Sequence, residues 1–146
     1  MRMANCSEKK VDAWAALVRT QRTTLAAVER NLKEAGYPSL EWYDVLLELE
    51  RGGALRPRDL QDRLLFAQYN LSRLIDRMAA AGLVERSPCP DDARCQWIRI
   101  TGEGRSLRRK MWPAYAAAVD QLFAKLSDNE AEQMAELLRR ARPVTN

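Results

Sequence analysis

The stretch SPCPDDARCQWIRITGEG, residues 87–104, stands apart in a sequence whose other segments have the periodicity of helices. The run QWIRI, residues 96–100, has the pattern of a β-strand, and LVERS, residues 83–87, is a second strand-like run. The prolines and aspartates between the two runs are residues that turn a chain. The stretch therefore predicts a β-hairpin inside a mainly helical protein, which limits the fold to classes that combine the two.

Two helices joined by a tight turn are predicted immediately before the hairpin. The first covers about residues 57–64 and starts with Pro57, a residue suited to the first helical position. The second covers about residues 66–81, ends at Gly82 and buries one apolar face. That face would consist of Ala67, Leu71, Leu74, Ile75 and Met78. A polar, arginine-bearing opposite face is typical of a helix-turn-helix, and a hairpin that follows it is the wing of a winged helix.

The segments on either side of this module predict longer helices. Apolar residues at three- and four-residue steps indicate helices over residues 8–35, 40–51 and 101–126. The sequence SDNE, which starts at Ser127, is a capping box that opens a last helix. The first and last helices carry apolar faces with no obvious partner in the chain, which predicts a homodimer.

These elements predict one mainly α domain of the winged-helix class over residues 1–146. Residues from about 40 to 103 would form the winged helix-turn-helix lobe, and those from about 8 to 35 and 104 to 142 would form dimerisation helices. Residues 51–110 hold 13 Lys and Arg against 7 Asp and Glu, a net +6, whereas the rest of the chain is −2. A basic centre between nearly neutral ends suits a polyanion at the centre and protein contacts at the ends.

Composition argues against several classes of function. The chain has no histidine, which excludes Ser-His-Asp and Cys-His catalysis and every metal site that needs histidine. It also has no CxxC pair, so we expect no metal site, no cofactor and no enzymatic activity. No apolar run reaches the roughly 18 residues of a membrane span, and the start, MRMANCSEKK, lacks the apolar segment of a secretory signal. The expected location is the cytoplasm.

Three motifs in this order resemble the MarR family of bacterial transcriptional regulators. WYDVLLELE at residues 42–50 is similar to the family's second helix. LSRLIDRMAAAGLVER at residues 71–86 is similar to its recognition helix and the Gly-Leu-Val-x-Arg that follows. PDDARCQWIRITGEGR at residues 90–105 resembles its wing, through an Asp-x-Arg and a Thr-x-x-Gly pattern.

The resemblance implies a homodimer whose two winged-helix lobes bind a pseudo-palindromic operator in double-stranded DNA. It also implies a repressor that is released by a small molecule, commonly a phenol or an aromatic acid, or by an oxidant. The chain departs from the family at FAQYN, residues 66–70, where many relatives carry Ser or Thr as the cap of the recognition helix.

Several residues are candidates for DNA contact. Those on the outward face of the recognition helix or flanking its start are Gln68, Tyr69, Asn70, Ser72, Arg73 and Arg77. The start of such a helix contacts bases, whereas Arg77, further along, would contact the DNA backbone or form an ion pair within the protein. At the wing tip, Arg94 suits insertion into a narrow minor groove. Asp92 would position Arg94 or tie the wing to the lobe.

Aromatic residues on three helices are candidates for the effector site, because the resemblance places that site among them. Trp14, Trp42, Tyr43 and Tyr115 offer flat apolar walls, although aromatics at helical spacing are more often core residues. Arg22 borders the apolar face of the first helix and would bind a carboxylate, unless it only extends to water. The expected effector is a small aromatic carboxylate.

Two alternative functions stay open at this point. Cys89 and Cys95 flank the wing tip and could approach each other, although free thiols are the expectation for them and for Cys6. A redox sensor on the same scaffold would use the two wing cysteines, with oxidation as the trigger that releases DNA. The other alternative is a helical interaction module that does not bind DNA, which the basic centre disfavours.

Overall fold

The computed structural model describes residues 5–142. Within them the chain forms six helices and one two-stranded antiparallel sheet, so the predicted mainly α winged-helix class is confirmed. The helices are α1 (Glu8–Glu34), α2 (Leu40–Gly52), α3 (Pro57–Arg63), α4 (Leu71–Ala80), α5 (Gly102–Leu122) and α6 (Asp128–Ala141). The strands β1 (Val84–Cys89) and β2 (Asp92–Ile100) lie between α4 and α5 in the chain. No helix in this range is both long and apolar enough to cross a membrane.

The elements belong to two compact units. The central unit, Val28–Tyr115, holds the end of α1, the helices α2 to α4, both strands and the first part of α5. The terminal unit consists of the described residues up to Ala27 and from Ala116 onward. The winged helix-turn-helix therefore lies wholly in the central unit, which extends beyond the predicted lobe at both ends.

The helix α4 packs one face into the apolar core of the central unit. Its buried residues are the predicted ones, namely Leu71, Leu74, Ile75 and Met78. The predicted start at residue 66 was wrong, and Ala67 is exposed because the helix begins only at Leu71. Asn70 sets this start, since its side-chain Oδ1 accepts the backbone N–H of Arg73 at 3.1 Å.

The two strands form the hairpin that the sequence predicted, but they are longer. They pair in regular antiparallel register as far as Pro88, opposite Gln96. Beyond this pair the register shifts, so residues 93–95 bulge out of the ladder. On the other edge of β2, Leu55 forms a single bridge with Ile98, at N···O distances of 3.0 and 2.8 Å. This bridge ties the segment before α3 to the hairpin.

The capping box predicted for the last helix is present, and α5 is capped in a similar way. The side-chain oxygens of Thr101 and Ser127 accept backbone N–H groups in the first turns of α5 and α6.

The helix α5 ends at Leu122, earlier than predicted, because the next turn tightens. The bond from the N–H of Leu126 to the carbonyl of Phe123, at 2.9 Å, spans three residues. The apolar periodicity continues into this turn, so it extended the predicted helix too far.

Candidate nucleic-acid interface and ligand cavity

The exposed face of α4 carries the polar residues that the sequence pattern singled out. Ser72, Arg73 and Arg77 are all exposed. Arg77 forms no ion pair with any of residues 5–142. Asn70 is the N-cap, so its Oδ1 is occupied and only its Nδ2 is left to bind another group. The face therefore presents a hydroxyl and two guanidinium groups to solvent.

Gln68 and Tyr69 lie in the turn before α4 rather than on the helix. Tyr69 is fully exposed, whereas Gln68 is half-buried. The turn is held from α2, because Oδ2 of the buried Asp44 accepts the N–H of Leu65 at 2.8 Å. Burial raises the pKa of Asp44 to about 6, and the N–H of Leu65 opposes that shift. The core of the central unit thus fixes the residues that lead into α4.

Arg86 on β1 holds α4 against the hairpin, and the sequence pattern had not selected it. Its guanidinium pairs with Asp76 on the exposed side of α4. It also donates to the backbone oxygen of Ser72 at 3.1 Å and lies 3.5 Å from the Ser72 hydroxyl. Arg86 is the arginine of the Gly-Leu-Val-x-Arg motif, which was the available signal. The recognition helix and the wing are therefore joined through one side chain.

The wing tip exposes Arg94 within the bulge of β2. The backbone N–H of Arg94 donates to Oδ1 of Asp92 at 2.9 Å. This bond from a side chain two residues earlier fixes the conformation of the turn. Both side chains are exposed. An exposed guanidinium on a restrained backbone can reach a partner outside the protein.

A disulfide joins Cys89 to Cys95 across the hairpin, with the two Cα atoms 5.3 Å apart. The expectation of free thiols is therefore wrong for these two residues. The regular register before the bulge leads to residues 89 and 95 as the next opposed pair, at a Cα separation that a disulfide spans. Cys6 is free and exposed.

A cavity of about 430 Å³ lies in the central unit between α2 and α5. Its lining consists of Tyr43, Leu47, Arg51, Arg108, Arg109 and Trp112. The ring of Tyr43 stacks on Tyr115 with the centroids 4.6 Å apart, and Trp112 lies 5.8 Å from Tyr115. The volume falls within the range of small-molecule sites. Of the predicted effector residues, the structure brings Tyr43 and Tyr115 together here.

Tyr115 contacts the cavity only through the lining residues Tyr43 and Trp112, and the other predicted effector residues are not part of the lining either. Trp42 is half-buried and packs against the apolar core of the central unit. Trp14 and Arg22 belong to the terminal unit, where Trp14 is 66% exposed. Arg22 lines a shallow surface depression with Arg19 and Thr23. The effector roles of these three residues stay predictions.

The charges around the cavity are unequally neutralised. Arg108 pairs with Glu50, and Arg51 lies 3.7 Å from Glu48. Arg109 is exposed and forms no ion pair with the described residues. The cavity therefore offers one unpaired cation beside aromatic walls.

Tyr43 lines that cavity while its hydroxyl stays enclosed by the protein. Its hydroxyl is buried and has no hydrogen-bond partner among residues 5–142. Burial raises the pKa of Tyr43 above its usual value, while the nearby Arg108 guanidinium opposes the shift. The phenol therefore keeps its proton at neutral pH and can donate a hydrogen bond.

The fold and these exposed basic elements define a winged helix-turn-helix regulator of transcription, a class that binds DNA. The sequence pattern of the MarR family matches residues 35–94. Over 112 residues, the chain is 30% identical to the HTH-type transcriptional regulator YkoM of Bacillus subtilis, covering 77% of this chain and 72% of that protein. The chain therefore belongs to the MarR family of transcriptional regulators, as its motifs predicted, and not to a class of enzymes.

Solved structures of MarR-type regulators share the fold. The structure of Sco3205 from Streptomyces coelicolor, a MarR family transcriptional regulator in complex with DNA, has a TM-score of 0.85 at 22% identity. The match covers 96% of this chain and 89% of that one. BpsR of Bordetella bronchiseptica, whose DNA binding is regulated by 6-hydroxynicotinic acid, has a TM-score of 0.79 at 23% identity. The match covers 89% of this chain and 98% of the BpsR chain.

Proposed function

We propose that this chain is a homodimeric repressor that binds a pseudo-palindromic operator in double-stranded DNA and is released by a small aromatic carboxylate. One observation carries the DNA-binding part. The exposed polar face of α4 and the exposed wing arginine, Arg94, are built into the same compact unit and joined through Arg86. Both elements of a winged-helix DNA contact are therefore present and held together.

The recognition helix α4 would enter the major groove with its first turn leading. Ser72 and Arg73 are the first exposed side chains on it, and the guanidinium fork of Arg73 suits the O6 and N7 acceptors of guanine. Gln68, Tyr69 and Asn70 would contact bases or phosphates at the same end of the helix. Arg77 lies one turn further along and would bind a backbone phosphate.

The wing would place Arg94 in the adjacent minor groove. A·T-rich DNA has a narrow minor groove with enhanced negative potential, which attracts an inserted arginine. The bond from the Arg94 N–H to Asp92, at 2.9 Å, supports a positioning role for Asp92. A carboxylate this close to DNA is repelled by phosphate, so Asp92 would act through the backbone of Arg94 and not through DNA.

Binding to DNA from the chain's own upstream region tests this docking. Arg94→Ala should weaken binding and reduce the preference for A·T-rich flanks. Arg73→Ala should cost about 1–3 kcal/mol and relax specificity at one base pair if the contact is bidentate to guanine. If Arg73→Ala weakens all sequences equally and lowers the salt dependence, its contact is to phosphate. The docking is wrong if neither variant binds more weakly than Arg30→Ala, which removes an exposed arginine from α1.

The terminal unit supports assembly into a homodimer. Trp14 is 66% exposed, Leu137 is 59% exposed, and α6 buries no residue within the described chain. A groove of about 470 Å³ also runs between the first part of α1 and α6, with an apolar lining that includes Leu17, Phe123 and Leu138. Apolar surface of this kind is seldom left to water. A second copy of the same unit would cover it and give the two-fold symmetry of a pseudo-palindromic operator.

The effector would bind in the cavity beside Tyr43. Its ring would lie against Tyr43 and Trp112, and its carboxylate would pair with Arg109. We assign the carboxylate to Arg109 in place of Arg22, because Arg109 lines the same cavity as the aromatic rings. The regulation of BpsR by 6-hydroxynicotinic acid, an aromatic carboxylic acid, supports this class of ligand. Release requires that the acid bind best to a conformation that does not fit the operator.

Calorimetric titration with benzoate and with its neutral analogue benzamide tests this site. We expect benzoate to bind and benzamide to bind at least about tenfold more weakly, since the amide lacks the charge. Arg109→Gln should weaken benzoate binding about 10- to 100-fold, and Trp112→Ala should weaken both ligands. Arg22→Ala is the matched control and should change the affinity for neither ligand. Equal binding of the two ligands, or full affinity in Arg109→Gln, would show that no arginine of this cavity binds the carboxylate.

Redox control of the wing is a second candidate function, which the disulfide between Cys89 and Cys95 favours. A dithiol reductant would break the S–S bond with two electrons and two protons, leaving two protein thiols and the oxidised dithiol. A crosslink over so short a loop removes about 2–3 kcal/mol of chain entropy, so the tip that carries Arg94 is more ordered when oxidised. Reduction should therefore weaken DNA binding, the opposite sign to the oxidation-triggered release of the redox alternative left open by the sequence.

Titrating DNA into oxidised and into reduced protein shows whether reduction or oxidation weakens DNA binding. The double variant Cys89→Ser with Cys95→Ser should bind like the reduced protein under both conditions. Cys6→Ser is the matched control and should keep the response of the unaltered chain. Equal affinity of oxidised and reduced protein would remove redox control as a function.

A further inference from the structure

The base of the wing contacts the start of α3 through a second pairing of β2. The bridge between Leu55 and Ile98 brings the next residues of both segments together, so Arg56 lies against Trp97. The guanidinium carbon of Arg56 is 5.1 Å from the centroid of the Trp97 ring, which is a cation–π contact. Arg56 is therefore held at the wing although it is exposed.

A cleft of about 380 Å³ lies between the start of α3 and the wing, and we call it the wing-base cleft. Three arginines line it, Arg56, Arg58 and Arg94, together with one carboxylate, that of Asp92. Oδ1 of this carboxylate already accepts the backbone N–H of Arg94. None of the three arginines forms an ion pair with residues 5–142. The cleft therefore carries positive charge that the described chain does not neutralise.

The chemistry of the wing-base cleft suits a phosphate group. The planar fork of a guanidinium binds two phosphate oxygens at once, and it loses less hydration than an ammonium group would. No aromatic residue is among the residues that line this cleft, which distinguishes it from the cavity beside Tyr43. Because Arg94 lines the same cleft, a phosphate bound there would lie next to the groove that the wing enters.

We propose that Arg56 and Arg58 bind a backbone phosphate of double-stranded DNA in the wing-base cleft. The proposal rests on the proposed DNA-binding function and adds to it a contact outside the recognition helix and the wing tip. Every nucleotide presents the same phosphate, so the contact raises affinity for all sequences and orients the wing without specifying bases. A homodimer carries two such clefts.

The salt dependence of DNA binding measures this contact directly. Each phosphate contact contributes about 0.9 to the slope of log affinity against log salt, or about eightfold in affinity at about 0.1 M salt. The variant Arg56→Ala with Arg58→Ala should therefore lose about 1.8 of slope and about 60-fold in affinity per dimer. The probes are two fluorescent duplexes of about 30 bp, one from the chain's upstream region and one of unrelated sequence. Both should weaken by the same factor.

Two further variants separate charge from structure. Arg30→Ala with Arg139→Ala removes the same charge from α1 and α6 and should keep the slope of the unaltered protein. Arg56→Lys with Arg58→Lys keeps the charge, so it should keep most of the slope while losing part of the affinity with the fork. Thermal unfolding monitored by circular dichroism checks that each variant is folded.

Several results would overturn the phosphate site. An unchanged slope in the double alanine variant would do so, and so would an equal loss of slope in the lysine variant, which would show that the arginines only hold the wing. Calorimetric binding of inorganic phosphate without DNA, as tight as that of the duplexes and lost in the alanine variant, would assign the cleft to a free anion. If the unaltered protein binds neither duplex, the proposed DNA-binding function itself fails.

Discussion

Replacing Asp44 with asparagine should remove most of one pH-dependent contribution to stability. Asp44 is 3% exposed, its Oδ2 accepts the N–H of Leu65 at 2.8 Å, and its Oδ1 has no partner within residues 5–142. Burial raises the pKa of its carboxyl from 3.8 to about 6, because the charged form loses its hydration. Since Leu65 belongs to the turn before α4, this carboxyl couples protonation to the support of the recognition helix.

The sign of the effect follows from the direction of the pKa shift. The folded protein holds this proton more tightly than the unfolded chain, so the stabilisation is complete below about pH 4 and is lost as pH rises through about 6. A shift of this size corresponds to about 3 kcal/mol. In Asp44→Asn the amide oxygen can still accept the N–H of Leu65, and the side chain no longer titrates. Its unpaired Nδ2 adds a cost that does not change with pH.

Urea denaturation at fixed protein concentration, from pH 4 to pH 7.5, measures this difference. The free energy of unfolding of the unaltered chain, relative to that of Asp44→Asn, should fall by about 2 kcal/mol between pH 4 and pH 7. Asp120→Asn alters an exposed aspartate of α5 and should not remove the pH dependence. If the two stability curves stay parallel, the buried carboxyl does not titrate as the structure implies.

Two further predictions concern assembly and packing. Leu17→Lys with Leu138→Lys should raise the Kd of the homodimer about a thousandfold or more in sedimentation equilibrium, because four charged sites per dimer each cost about 1–2 kcal/mol. Leu65→Lys, at a leucine that is 70% exposed in the central unit, is the control, and an equal effect there would argue against the terminal-unit interface. Gly104→Ala should destabilise the chain by about 1–3 kcal/mol in thermal unfolding, since its Cβ would overlap a backbone carbonyl oxygen. At Gly102 a Cβ meets nothing within 4 Å, so Gly102→Ala should be neutral, and equal effects at both glycines would rule out the overlap.

Local patterns were sufficient to predict the order of elements. Helical periodicity predicted α1 and α2, and glycines and prolines at their ends predicted where they stop. The predicted helix ends were wrong where a local hydrogen bond set the boundary although the apolar periodicity continued past it. Asn70 capped α4 and delayed its start, and the turn at Phe123 tightened and shortened α5. The disulfide was missed because reduced thiols were assumed for the expected compartment, although Cys89 and Cys95 flank the tip of one hairpin.

The candidate DNA interface was easier to predict than the cavity. Residues of one helix face or one hairpin tip are neighbours in sequence, so Arg73 and Arg94 could be selected from spacing alone. The cavity depends on which helix packs against α2, and that is set by tertiary contacts. Tyr43 could be selected as an aromatic residue, but its position beside Arg109 required the pairing of α2 with α5. The sequence signal available for Arg109 was its position three residues before Trp112, which puts both on one face of a helix.

Hydroxyl-radical footprinting of the operator tests most directly the claim that this chain binds DNA through α4 and the wing. The unaltered protein should protect the minor groove at both outer flanks of a pseudo-palindromic site, in addition to the segments beside each major-groove contact. Arg94→Ala should lose the minor-groove protection at the outer flanks and keep the rest, because Arg94 is the side chain placed in that groove. Identical footprints for the two proteins, or protection that does not repeat with two-fold symmetry, would contradict this account of the interface.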